Sequence, residues 1–172
     1  MDKGQVWVET VIYTLIGLGL ISVVLVLVTP KINEYKDRSI LEQTISSLNG
    51  IDREIQNVLS GGPGNARVVQ FSMKRGKIFF DRKNNSILFV LDDSSVLFSE
   101  SGQETSIGNI KVLSEKGTKK NKVLLRLDYN FDLDFEGDKD VLEFVQSSTP
   151  YKFRFENAGF LNSTQVVLFK GV

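Results

Sequence analysis

Between Glu9 and Lys31 the chain runs for 21 residues, Thr10 to Pro30, without one charged side chain, in a stretch dense in Val, Ile and Leu. A helix rises about 1.5 Å per residue, so this run spans roughly 31 Å, close to the hydrocarbon thickness of a bilayer. A buried core helix seldom needs so long an uncharged run, whereas a membrane span requires one. The carboxylate of Glu9 at its edge is then the residue that needs a reason.

Beyond Pro30 the pattern changes. Ile32, Tyr35, Leu41, Ile45, Leu48, Ile51, Ile55 and Val58 recur mostly at threes and fours, with Lys31, Glu34, Lys36, Asp37, Arg38, Glu42, Asp52, Arg53 and Glu54 between them. That is an amphipathic helix with one apolar stripe. Pro30 forfeits one helical hydrogen bond, which predicts a kink rather than two helices. Gly61-Gly62-Pro63-Gly64 is a stop signal.

From Ala66 onward short runs rich in Val, Ile, Leu and Phe read as strands: RVVQFSM, KIFFD, SILFVLD, SVLFS, NIKVLS, KVLLRLDY, FDLDF, YKFRFEN and TQVVLFK. Turn residues such as Arg75-Gly76, Asn84-Asn85, Lys116-Gly117 and Glu136-Gly137 separate them. The expected class is α+β: a long N-terminal α-helix followed by an antiparallel, sandwich-like β head. The expected organisation is a leader at 1–4, a helix at 5–60 with its span at about 10–30, a Gly/Pro linker at 61–65, and a β-rich head at 66–172.

Composition narrows the function. The sequence has no Cys and no His, so thiolate nucleophiles, zinc clusters and the usual general base are absent. Lys plus Arg number 21 and Asp plus Glu number 21, so no basic surplus points to nucleic acid. The expectation is a non-enzymatic protein without a cofactor and without a nucleic-acid partner.

A secretory signal has an apolar core of about 7–15 residues followed by a small-residue cleavage site, and this run is longer and lacks such a site. A cut in front of the span, between Gly4 and Gln5, would instead leave the helix on the mature chain. The segment KGQVWVE followed by the apolar run resembles archaeal type IV pilin precursors with a class III signal peptide. Lys3, Gly4, Gln5 and Glu9 match that family's pattern, while Trp7 stands where the family often has a small polar residue. The resemblance covers about the first 60 residues by motif and the β head by architecture. It implies processing at Gly4 and Gln5 by a prepilin peptidase, an assembly role for Glu9, and polymerisation into a helical homo-oligomeric filament. An assembly ATPase and a membrane platform protein follow as partners. The precursor would be membrane-anchored and the filament extracellular, its head exposed for adhesion.

Physical chemistry gives the motif a reason. A free α-amino group at Gln5 has a pKa of about 7.7–8 and is charged at neutral pH. At about 4 Å and an effective dielectric near 20, a pair with the Glu9 carboxylate is worth on the order of 4 kcal/mol before desolvation. Left unpaired at mid-span, an acid costs about 2.5–3.5 kcal/mol. The basic residues lie mainly after the span, at Lys31, Lys36 and Arg38, and by the positive-inside tendency would hold the head inside; the resemblance implies the reverse.

Two further patterns carry weaker expectations. Asp132, Asp134, Glu136, Asp138 and Glu143 sit at near-calcium-loop spacing with Gly137 sixth, although strand alternation also accounts for them. Asn84 and Asn162 begin glycosylation sequons. The rival architecture is a single-span, membrane-anchored binding module that never polymerises.

Overall fold

The computed structural model describes residues 3–161 and 164–171. One helix, α1, covers Lys3–Ser60, with Pro30 inside it. Ten strands follow: β1 (Ala66–Phe71), β2 (Lys77–Asp81), β3 (Ser86–Ser94), β4 (Glu104–Ile107), β5 (Ile110–Glu115), β6 (Asn121–Asp128), β7 (Asp132–Phe135), β8 (Val141–Val145), β9 (Tyr151–Leu161) and β10 (Thr164–Gly171). The α+β class holds. Two compact units divide the chain, Met1–Lys36 and Asp37–Val172, so the second half of α1 belongs with the strands.

In the first unit α1 carries the apolar run. Its threonine and serine hydroxyls do not seek outside partners: Thr10, Thr14, Ser22 and Thr29 each donate to the carbonyl four residues back, at 2.6–2.9 Å. Back-bonding of this kind satisfies a polar group where no water is at hand.

In the second unit the strands form two sheets, a four-stranded one in the order β1-β9-β10-β7 and a six-stranded one in the order β4-β5-β6-β3-β2-β8. All pairs are antiparallel except β10 with β7. Leu41, Ile45, Leu48, Ile51, Ile55 and Val58 are buried along one stripe of α1, in one core with residues of both sheets. Aromatic rings fill the centre: Phe80 stacks on Phe169 with centroids 4.0 Å apart and meets Phe153 edge-on at 5.0 Å. The stripe begins later than its periodicity implies, since Ile32 and Tyr35 are exposed.

The end of α1 is capped from far along the chain. Asn157, buried on β9, donates its amide to the carbonyls of Val58 and Leu59, and Asn65 donates to that of Asn57. The orphan carbonyls of a helix C-terminus thereby find partners. At the other end of the packed half, Asp37 is buried, accepts from the Arg75 guanidinium, and takes the Ser95 N–H at 2.7 Å.

The strand pattern departs from expectation in three places. SVLFS is not a strand: its backbone donors go to side chains, Ser95 to Asp37, Val96 to Ser94, and Phe98 and Ser99 to the Ser114 hydroxyl. β4 is an edge strand exposed along its whole length, so no alternation announces it. β8 lies at the opposite edge of that sheet, within the stretch whose acids suggested a calcium loop.

Candidate functional site

An ordinary surface helix hides one face. From Val6 to Thr29 every residue of α1 is exposed except Gly17, which is half-buried. By length and composition this helix can cross a membrane, and none of its most apolar stretch is buried. Such a surface is stable only against lipid tails or other apolar helices.

Gly4 and Gln5 lie in the first turns of α1 and Glu9 one turn further on. Gln5 and Glu9 are four residues apart along α1. The Glu9 carboxylate is exposed and makes no ion pair or hydrogen bond with any described side chain. The threonine and serine hydroxyls of the span are internally satisfied, and Glu9 is the charged group beside it without a partner among the described side chains.

The acids of the near-calcium pattern are not gathered. Asp134 pairs with Arg82 at 2.7 Å, Glu136 with Lys170 at 3.3 Å and Glu143 with Lys77 at 2.8 Å. Asp132 accepts from the Asn85 amide at 3.3 Å, and Asp138 is exposed. Among the described residues no group of three or more acids converges as a metal's ligands would. Arg82 accounts for part of the spacing: besides Asp134 it binds the carbonyls of Phe135 and Gly137 and lies 4.4 Å over the Phe135 ring.

Asn84 is exposed in the β2–β3 turn, where its amide donates to Asp81 at 2.7 Å and its N–H to the same carboxylate at 2.9 Å. The hydroxyl residue of that sequon, Ser86, is buried. Asn162 lies outside the described residues.

Sequence reasoning missed three buried polar groups that fix the head: Asp37, Asp52 and Asn157. Asp52 accepts from the Asn109 amide at 2.8 Å and stands near Tyr129. Burial pushes the Tyr129 phenol well above its ordinary pKa, and the negative charge of Asp52 adds to the shift. The signal in the sequence was weak: an Asp on the edge of an apolar helical stripe reads as solvated unless its distant partner is known.

Comparison with protein families, curated proteins and solved structures returns no match for this chain. What stands is a helix of membrane-crossing length joined to a β head.

Proposed function

We propose that this chain is a pilin-like subunit of a surface filament of the archaeal type IV kind, made as a membrane-anchored precursor and cut between Gly4 and Gln5. A prepilin peptidase makes the cut, and an assembly ATPase with a membrane platform protein moves the subunit from bilayer to filament. Catalysis is not part of the role, because a chain without His or Cys lacks the usual acid–base and nucleophilic groups.

One observation carries the reading: a helix apolar on every side holds a carboxylate, Glu9, without a partner among the described side chains, four residues from the position where the motif places the cut. Lipid alone supports the apolar surface but gives the acid no role. In a bundle of such helices the apolar surfaces cover one another, and the Glu9 carboxylate meets the α-amino group freed at Gln5.

Electron microscopy of cells carrying Glu9→Gln, with a blot of the membrane fraction, tests this. The variant inserts and is cut, because its span is more apolar and the Gly4–Gln5 bond is unchanged. It does not assemble, since an amine left alone in a low-dielectric core costs several kcal/mol in each subunit. Filaments of normal number built from cut Glu9→Gln chains would remove the register role. A wild-type chain that keeps residues 1–4 at the cell surface, read by mass spectrometry, would favour the anchored module that does not polymerise.

A further inference from the structure

The turn from β5 to β6 is the most basic stretch of the head. Lys116, Lys119 and Lys120 lie in it and Lys122 follows at once, all within seven residues, 116–122. Residues 116–120 are exposed, and none of these four lysines belongs to an ion pair among the described residues.

Its place in the fold is defined by a chain of contacts. The Lys120 ammonium donates to the Ser95 hydroxyl at 2.7 Å, and the Ser95 N–H donates to Asp37, which also holds Arg75. Strand register agrees: Asn121 pairs with Ser94 at this end of the six-stranded sheet and Asp128 with Ser86 at the other. The lysine turn therefore stands at the end of the head where α1 enters, with exposed Lys74 and Leu97 on neighbouring loops. Asp92, Asp93 and Glu115 share that end and offset part of the charge, leaving the turn itself purely basic.

Connectivity then names the partner. Only seven positions separate Pro30, the last residue of the uncharged run, from Asp37. Seven helical residues rise about 10 Å, comparable with the Debye length at ordinary salt. In a chain anchored by its span, the loops around Asp37 are tethered within reach of the headgroups. We infer that the lysine turn, Lys116 to Lys122, docks on anionic lipid headgroups and holds the base of the head against the membrane. This rests on the membrane-crossing reading of α1 and not on the filament. The occupant is lipid phosphate rather than a second copy, because the tether keeps the turn within reach of the bilayer, whereas the exposed acids Glu136, Asp138 and Asp140 lie toward the far end of the sheet.

The test uses the full chain with Thr118→Cys, the sole cysteine, carrying an environment-sensitive dye. It is reconstituted into phosphatidylcholine vesicles and into vesicles with about one-third phosphatidylglycerol, and flotation reads anchoring separately. Anionic vesicles shift the dye emission to the blue and raise the docked-to-free ratio about tenfold or more. Raising salt from about 0.1 to 1 M shortens the screening length from about 10 to 3 Å and reverses the shift. The same chain with Lys116→Glu, Lys119→Glu and Lys120→Glu floats equally and shows no shift. Identical emission from the Thr118→Cys chain in the two lipids overturns the inference while the span stands. So does a shift that follows protein density rather than lipid charge, which assigns the turn to the acidic loop of a second copy. Failure to float overturns the span reading and the docking with it.

Discussion

The two halves of α1 obey different rules although no break in helix divides them. Up to Lys36 the helix shows apolar residues on all sides and buries none of them; from Asp37 to Ser60 it shows one stripe and buries that completely. A helix specifies its surroundings through the angular spread of its apolar residues. A stripe asks for one packing partner, and a full cylinder asks for a solvent that is itself apolar. The charged residues mark the change, with Lys31–Glu34 and Arg38–Glu42 pairs either side of the boundary. These pairs are exposed and screened by solvent, so they serve solubility rather than cohesion.

The comparison can be broken by substitutions in each half, read by unfolding of the full chain in detergent. Trp7, the only tryptophan, lies ahead of the apolar run and outside the head, so head unfolding is followed by β-sheet circular dichroism instead. The largest effect is expected in the shared core. Phe80→Ala removes a ring stacked on Phe169 and touching Phe153, and costs about 3–5 kcal/mol; Leu48→Ala on the buried stripe costs about 2–5 kcal/mol. Leu18→Ala in the exposed half changes head stability by less than about 0.5 kcal/mol. Equal effects from Leu48→Ala and Leu18→Ala would dissolve the distinction between the halves.

Asp37→Ala comes next. It deprives Arg75 and the Ser95 N–H of a buried acceptor, and because the Arg75 side chain is 39% exposed the loss is about 1–3 kcal/mol. Asn157→Ala removes two long hydrogen bonds at the helix end and costs about 1–2 kcal/mol. The smallest effect is on pH dependence. The unfolded Tyr129 phenol ionises near pH 10 whereas the folded one, its pKa raised first by burial and then by Asp52, does not. Its contribution is therefore complete below about pH 10 and is lost as pH rises above that. Tyr129→Phe flattens the alkaline fall in stability, and an unchanged slope in a pH series would show the phenol to be unshifted.

Much of the architecture was legible in residues whose partners are local. The span, the stripe from Leu41 to Val58 and the Gly61–Gly64 stop follow from spacing alone, and so do strands such as β2 and β9 with their alternating burial. What stayed hidden depends on distant partners. SVLFS has strand composition, but Asp37 and Ser114 take its N–H groups, and neither is near it in sequence. β7 pairs in parallel with β10, thirty-odd residues later, a choice no periodicity expresses. The acids from Asp132 to Glu143 looked alike in sequence, and the fold separates them by giving Asp134, Glu136 and Glu143 different cations. Of the candidate site, Glu9 was legible because a charge beside an uncharged run is costly there and calls for a partner.

The Asn157 cap has a consequence in time. Its partner carbonyl on Val58 lies 99 residues earlier in the chain. At a synthesis rate of about 5–20 residues per second, the end of α1 therefore waits roughly 5–20 s for its cap. The Phe153 and Phe155 rings that help cover the stripe are made only just before Asn157. Throughout that interval the apolar run is already made, while the stripe from Leu41 to Val58 still lacks the part of its core that β9 and β10 supply. A chain built in this order presents its apolar helix first and closes its head last.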